Sequence, residues 1–139
     1  MTESRTVSIS IKRRPEDVYE YLVDPANFPK WSVFIKEIRK EGSAWIATTP
    51  EGTVRMRFTP RNEFRILDHY VMISPQIQVY VPMRVLANQE NDSEVIFTVF
   101  RMPGMSDEQY KDDIGMVLAD LIGLKRVLED KDGLHQQGP

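Results

Sequence analysis

The sequence predicts one α+β domain, in which two short helices and an antiparallel sheet precede a long C-terminal helix. Three observations support this prediction. Apolar and polar residues alternate with a period of two near the N-terminus and again from residue 35 to residue 102, which is typical of half-buried strands. A helical spacing of apolar residues occupies positions 106–130. The length of 139 residues suits one hydrophobic core, so we expect a single domain over residues 1–139.

The first elements are a strand and two short helices. An alternating stretch at 5–12 predicts the strand. Pro15, followed by two acidic residues, is typical of the first turn of a helix. The Asp24-Pro25 pair ends this helix, because a residue before proline disfavours the helical conformation. The motif NFPKW at 27–31 then predicts a second short helix or turn.

Six further strands complete a predicted seven-stranded antiparallel sheet. They are expected at 35–41, 44–49, 53–59, 64–73, 77–87 and 94–102. The connections between them are short and contain Gly, Pro, Asn or Ser, which implies an antiparallel meander. Pro82 lies within the sixth of the seven strands. Because proline cannot donate a backbone hydrogen bond, it predicts a bulge or a sheet edge there.

Pairing successive strands, with Pro50 opposite Thr53 in one hairpin, predicts which side chains share a face of the sheet. One face is nearly all apolar, and its predicted members are Trp45, Ala47, Thr49, Val54, Met56, Phe58, Leu67, His69, Val71, Val79, Val81, Met83, Val85, Ile96, Thr98 and Phe100. The other face is rich in arginine, and its predicted members are Arg55, Arg57, Asp68, Gln78, Arg84 and Arg101. An antiparallel sheet often has one face on the core and one in water, as this division predicts.

The long helix is predicted from Ser106, a capping residue, to Asp130, with Gly133 available to close it. Such a helix is about 37 Å long, enough to cross a small domain. We expect it to cover the apolar sheet face, and Gly115 and Gly123 to mark positions where it approaches the sheet or flexes. Its predicted apolar stripe consists of Tyr110, Ile114, Val117, Leu121, Leu124 and Leu128.

Composition excludes several functional classes. A net charge of −3 does not favour nucleic acid as a partner. The absence of cysteine excludes disulfides, thiolate zinc sites and a cysteine nucleophile, and with only His69 and His135 we expect no metal and no cofactor. The N-terminus lacks a signal-peptide pattern and no stretch approaches ~18 apolar residues. We therefore expect a cytoplasmic protein without an integral membrane segment, and the sequence leaves a homodimer open.

Two stretches carry a resemblance to a known superfamily. The stretch ISIKRRPEDVYEYLVDPANFPKW resembles the usual opening of the SRPBCC superfamily, which includes the START and Bet v 1-like proteins. The stretch SEVIFTVFRMPGMSDEQYKDD, with DLIGLKRVLE after it, is similar to a bacterial polyketide cyclase/dehydrase-like branch. The resemblance covers almost the whole chain and implies a helix-grip fold, in which the long helix lies across a curved sheet above a ligand cavity. The superfamily includes cyclases, lipid carriers, hormone receptors and chaperone co-factors, so it implies no single activity.

The predicted cavity suits a small hydrophobic or aromatic molecule, of polyketide or lipid type. The alternative is a close-packed core in which the same side chains only fill space. The candidate ligand-binding residues are Trp31, Phe34, Trp45, Met56, Phe58, His69, Val81, Met83, Thr98, Phe100, Tyr110, Ile114, Val117 and Leu121.

His69 is the candidate catalytic residue. An imidazole on the apolar face, near Val54 and Val81, can act as a general acid or base near neutral pH. A cyclase or dehydratase needs such a group to move a proton next to a carbonyl. The alternative is a histidine that hydrogen-bonds to a backbone or hydroxyl partner.

Three functional hypotheses follow. The first is a cyclase, dehydratase or isomerase that uses His69 as a proton shuttle. The second is a non-catalytic carrier or sensor of a hydrophobic ligand. The third is a protein-interaction module that uses the arginine-rich face at Arg55, Arg57 and Arg84.

Two expectations concern charged residues outside the cavity. Asp68 is expected to pair with an arginine across strands, at a gain of tenths of a kcal/mol. The acids Asp112, Asp113 and Asp120 are expected on the solvated side of the long helix.

Overall fold

The protein is described by a computed structural model, which places the backbone of residues 1–137 and the side chains of residues 1–130. Its elements in chain order are β1 (Ser4–Ile11), α1 (Pro15–Leu22), a 3-10 turn (Pro25–Asn27), α2 (Phe28–Trp31), β2 (Glu37–Glu41), β3 (Ala44–Thr49), β4 (Gly52–Phe58), β5 (His69–Ser74), β6 (Ile77–Val81), β7 (Met83–Asn88), β8 (Asp92–Phe100) and α3 (Asp107–Gln137). The predicted α+β architecture, with a long C-terminal helix over a sheet, is confirmed. Residues 138–139 of the predicted domain lie outside the described residues. Within those that are described, no helix is both long and apolar enough to cross a membrane.

The eight strands form two sheets, so the prediction of one seven-stranded sheet is wrong. One sheet has the order β2-β3-β4-β5-β6 and the other the order β1-β8-β7. The predicted strand 77–87 divides at Pro82, where the missing N–H interrupts the ladder. The backbone N–H of Thr98 donates to the Pro82 carbonyl at 3.0 Å, so the two sheets remain joined at this corner.

The strand predicted at 64–73 begins later, at His69, because the preceding loop has its own hydrogen bonds. The side-chain oxygen of Asn62 accepts from the N–H groups of Phe64 and Ile66 at 3.0 and 3.1 Å. The backbone N–H of Leu67 then donates to the carbonyl of Met83 in the other sheet, at 2.8 Å. Residues 65–67 therefore contact β7 instead of extending β5.

The face assignment is correct for the five-stranded sheet. Thr53 lies opposite Thr48, two residues from the predicted partner Pro50. A shift of two residues preserves the faces of a strand, whereas a shift of one inverts them. Phe58 accordingly lies opposite His69, on the predicted face.

The face assignment is wrong for β8. Met83 lies opposite Phe97, and the ladder continues to Asn88 opposite Asp92 around a three-residue loop in which Gln89 has a φ of 63°. The predicted register between β7 and β8 differs from the observed one by one residue. The prediction therefore puts Ile96, Thr98 and Phe100 on the inner face, whereas they lie on the outer face.

The helix α3 begins as predicted and buries the predicted stripe, but it ends later. Ser106 and Gln109 form a reciprocal cap, since each backbone N–H donates to the other side chain, at 3.0 and 3.1 Å. The apolar stripe is confirmed, with Val117 partly buried against the core and the other five members buried. The helix continues past Gly133 to Gln137, because a glycine weakens a helix without stopping it.

The two sheets are covered by different elements. α3 packs against β1, β8 and α2, and its Leu121 and Leu124 join Ile11 and Val95 in the main core. The inner face of the five-stranded sheet is instead covered by α2 and the segment after it, including Phe28, Phe34 and Ile35. The prediction that α3 covers one continuous apolar face therefore holds only for the three-stranded sheet.

α3 also protects the free edge of β1. The Lys125 ammonium donates to the carbonyl of Ser10 at 2.6 Å, and the Glu129 carboxylate accepts from the backbone N–H of Lys12 at 3.0 Å. Lys125 and Glu129 pair with each other at 2.8 Å. These side chains occupy edge groups that another strand would otherwise contact.

The two glycines of α3 have opposite environments. A Cβ at Gly123 would lie 2.5 Å from the carbonyl oxygen of Trp31, whereas a Cβ at Gly115 would have nothing within 4 Å. The prediction that these glycines mark an approach to the sheet is wrong, because Gly123 closely approaches α2 and Gly115 has no neighbour.

We predict that Gly123→Ala destabilises the protein by about 1–3 kcal/mol, because the added methyl group pushes α3 away from α2. Gly115→Ala is the matched control and should stabilise the protein by up to about 1 kcal/mol through helix propensity. Urea denaturation followed by circular dichroism measures both changes. Equal effects of the two substitutions would contradict the prediction.

Candidate functional site

An open cleft of about 420 Å³ lies between the α1–α2 connection and the end of β4. Five of its eight lining residues are apolar, and polar groups from two turns supply the larger part of its exposed surface. This volume lies within the range of about 300–1,000 Å³ that is usual for small-molecule sites. The cleft is lined by Val23, Asp24, Pro25, Trp45, Phe58, Thr59, Pro60 and Arg61.

The two sides of the cleft are held together by contacts to α1. The backbone N–H of Asn62 donates to the Tyr19 hydroxyl at 2.9 Å. The Arg61 guanidinium pairs with Glu20 and lies 5.9 Å from the centre of the Tyr19 ring. The loop after β4 is therefore fixed relative to the helix that leads into the opposite wall.

An inner cavity of about 20 Å³ lies behind the cleft and shares Val23, Phe58 and Thr59 with it. A single water needs about 10–15 Å³, so the inner cavity admits one small group and not a whole ligand. Its remaining lining residues are Leu22, Phe28, Trp31, Leu67, His69 and Met83.

The structure brings together some of the predicted ligand-binding residues. Trp45 and Phe58 line the cleft, and Phe58 is joined by Trp31, His69 and Met83 around the inner cavity. Phe34, Met56 and Val81 lie beneath these residues without lining either space. Ligand contact by any of them stays a prediction.

Other predicted ligand-binding residues lie elsewhere. Thr98 and Phe100 are on the outer sheet face, where the Thr98 hydroxyl bonds to that of Thr6 at 2.7 Å and the Phe100 ring stacks on Tyr80. The members from α3 line neither the cleft nor the inner cavity, because they are packed in the protein interior, and these are Tyr110, Ile114, Val117 and Leu121.

Sequence reasoning missed most of the cleft wall. Val23, Pro25, Pro60 and Arg61 belong to connections, where no apolar period reports which residues face each other. The Asp-Pro and Pro-Arg turns were visible as turns. Their meeting depends on how α1 packs against the loop after β4.

His69 is buried, with 3% of its surface exposed, and three aromatic rings lie near its imidazole. The ring centres of Phe28, Phe58 and Phe97 lie 6.1, 5.4 and 6.3 Å from that of the imidazole. Its Nδ1 lies 3.0 Å from the Leu67 carbonyl oxygen. The predicted placement on the apolar face is confirmed, a backbone hydrogen bond is present, and the catalytic role stays a prediction.

The protonation state of His69 follows from these contacts. Burial lowers its pKa below the ordinary value, against the opposing effects of the Leu67 carbonyl and the Asp68 charge. The ring is therefore neutral at neutral pH. Because a carbonyl oxygen only accepts, Nδ1 carries the proton and Nε2 is the basic nitrogen.

Asp120 fixes the wall that carries Trp31. Its carboxylate accepts from the Ser32 hydroxyl at 2.7 Å and from the Val33 N–H at 2.8 Å. Burial raises the pKa of Asp120 while these bonds act to lower it. The prediction that Asp120 is solvated is wrong, whereas Asp112 is exposed as expected.

Asp113 is not fully exposed either. It is partly buried, and burial together with the charges of Glu51 and Asp112 raises the pKa of its carboxyl group. The prediction of a fully solvated side chain therefore does not hold for Asp113.

The outer face contains the predicted cross-strand ion pair. Asp68 accepts from Arg84 at 3.0 Å, from the Tyr80 hydroxyl at 3.0 Å and from the Met83 N–H at 2.9 Å. Burial alone would raise the pKa of Asp68, but these donors outweigh it and the pKa is lowered. Arg55 pairs instead with Glu41 at 3.3 Å.

We predict that His69 lowers the stability of the protein as the pH is lowered from 7 to 5. Because the folded pKa of His69 is below its ordinary value, the unfolded chain binds more protons in this range. His69→Gln removes this titration and should flatten the dependence. Urea midpoints measured across the range test the prediction, and identical slopes for the two proteins would refute it.

Comparison with known proteins places most of the chain in one family. Residues 2–105 match the family described as polyketide cyclase/dehydrase and lipid transport. The match includes every lining residue of the cleft and the inner cavity and ends before α3. A search of curated proteins finds no match.

Several solved structures share the fold. XoxI from Bacillus cereus is 22% identical, with 93% of this chain and 97% of that one covered and a TM-score of 0.78. A START superfamily protein from Mycobacterium smegmatis is 9% identical, with 91% and 97% covered and a TM-score of 0.75. The Zhui aromatase/cyclase from a Streptomyces species is 12% identical, with 93% and 94% covered and a TM-score of 0.64.

Proposed function

We propose that this chain, which belongs to the polyketide cyclase/dehydrase and lipid transport family, binds a small hydrophobic or aromatic molecule in its cleft. One observation carries the proposal. The cleft, lined by the Trp45 and Phe58 rings, shares Val23, Phe58 and Thr59 with an inner cavity that His69 lines. An apolar body and one hydrogen-bonding group at its inner end would match this arrangement.

The walls favour an apolar ligand on energetic grounds. Burying apolar surface against Val23, Trp45 and Phe58 contributes about 25 cal/mol per Å² removed from water. The charged group of Arg61 remains at the rim, with 61% of its side chain exposed, and it is already paired with Glu20. The hydrophobic walls, rather than this ion pair, would supply most of the affinity.

The cleft suits a ligand better than the space beneath α3. Leu121 and Leu124 are 1% and 0% exposed and pack directly into the main core. A ligand there would have to displace close-packed side chains, at the cost of their burial energy. A ligand in the cleft needs no such displacement.

Proton-transfer catalysis is a second candidate, supported by the neutral imidazole of His69. A general base must offer a lone pair near its operating pH and lie within reach of the substrate. Nε2 meets the first condition, and the place of His69 in the lining of the inner cavity next to the cleft supports the second. The family includes cyclases and dehydrases, for which such a step is needed.

The hypothesis of a docking face for a protein partner has weaker support. Arg55 and Arg84 are both paired with acids of this chain, Glu41 and Asp68. A partner would have to compete with these contacts. We therefore rank ligand binding above protein interaction.

For the binding proposal, we predict that Phe58→Leu weakens the binding of 2-methoxynaphthalene by about three- to tenfold, because it removes an aromatic wall. Phe100→Leu, on the outer sheet face, is the matched control and should bind as the wild type does. Isothermal titration calorimetry measures both affinities. An equal loss in the two variants, or none in Phe58→Leu, would overturn the location of the site.

For the catalytic candidate, we predict that the wild-type protein accelerates deuterium exchange at the α-carbon of 2-tetralone in D₂O. His69→Gln should abolish the acceleration, because an amide cannot take up the proton, while the affinity for the ketone is retained. Proton NMR follows the exchange. An unchanged rate in His69→Gln would exclude His69 as the base.

A further inference from the structure

The inner cavity combines apolar walls with three side chains that can hydrogen-bond. Six of its nine lining residues are apolar, and the others are Trp31, Thr59 and His69. Its volume of about 20 Å³ limits an entering ligand to one small terminal group. The hydrogen-bonding roles of these side chains therefore determine which terminal group fits.

His69 offers an acceptor to this cavity. The Leu67 carbonyl holds the proton on Nδ1, so the lone pair is on Nε2. Among the described residues, no backbone or side-chain group donates a hydrogen bond to Nε2. A ligand atom that reaches Nε2 must carry a proton to bond with it.

Thr59 is a second acceptor. Its hydroxyl proton is directed to the Asp68 carbonyl oxygen at 2.6 Å, and its backbone N–H donates to the same oxygen at 3.1 Å. Only the lone pairs of the hydroxyl remain for a ligand. Of the three lining side chains that can hydrogen-bond, His69 and Thr59 therefore offer acceptors and Trp31 offers a donor, its indole N–H.

Charge and size exclude the larger polar groups. A carboxylate would lose its hydration in an apolar cavity that contains no cation, which is strongly unfavourable. An ether or a hydrocarbon would leave Nε2 without a partner, and a ketone would face two other acceptors. A hydroxyl group has the size of a water molecule and can donate to Nε2.

We propose that the inner cavity is a hydroxyl-binding subsite, and that the ligand is a ring-containing phenol or alcohol whose O–H donates to Nε2 of His69. This inference rests on the proposed function of the cleft and adds the chemical class of the ligand. His69 then acts as a specificity-determining acceptor, whether or not it also transfers a proton.

The test compares 2-naphthol with 2-methoxynaphthalene by isothermal titration calorimetry at neutral pH. We expect the wild-type protein to bind 2-naphthol about tenfold more tightly, the usual effect of one well-placed hydrogen bond. His69→Phe should abolish this preference, so that the two compounds bind with equal affinity. His69→Gln should restore part of the preference, because its carbonyl oxygen accepts.

A second measurement does not depend on the stability of the variants. In the wild-type protein, 2-naphthol should shift the ¹⁵N resonance of His69 Nε2, and 2-methoxynaphthalene should leave it nearly unchanged. Equal affinity for the two compounds would overturn the subsite while leaving the binding proposal intact. Equal binding of 2-acetylnaphthalene and 2-naphthol would also overturn it, in favour of the Trp31 donor. Binding of none of the three would reject the proposed function itself.

Discussion

The carboxylate of Asp120 joins the long helix to the segment after α2, and the wall of the inner cavity depends on that link. Asp120, which accepts hydrogen bonds from Ser32 and Val33, lies about one helical turn before Gly123. Because Gly123 has no side chain, the Trp31 carbonyl can approach α3 closely. Together these contacts hold α2, with its Phe28 and Trp31 rings stacked 4.5 Å apart, over the five-stranded sheet. The long helix thus shapes the site through α2 rather than by lining it.

The break between β6 and β7 at Pro82 also shapes the inner cavity. By ending one ladder and starting another, it lets the chain turn from the five-stranded to the three-stranded sheet within one residue. Leu67 and Met83, paired by a backbone bond across the corner, then line the inner cavity beside His69. A continuous strand would have carried Met83 along the five-stranded sheet and away from this position.

Asp68 and His69 are adjacent residues at the start of β5, and their side chains lie in different environments. The alternation of a strand sends them to opposite faces, Asp68 to the ion pair with Arg84 and His69 into an aromatic enclosure. Donors around Asp68 lower its pKa and keep it charged, while burial lowers the pKa of His69 and keeps it neutral. Asp68 is therefore anionic on the outer face and His69 is uncharged on the inner face, so the lining of the inner cavity carries no charge.

Local patterns in the sequence determined the order of the elements, the buried stripe of α3 and the inner position of His69, because these depend on periodicity along the chain and on short connections between neighbouring strands. Only the tertiary structure decided the rest. A three-residue loop reversed the faces of β8, and the packing of α1 against the loop after β4 brought Pro25 and Arg61 into one cleft. Turn geometry and the contacts between distant connections have no period along the chain, so the sequence alone could not reveal them.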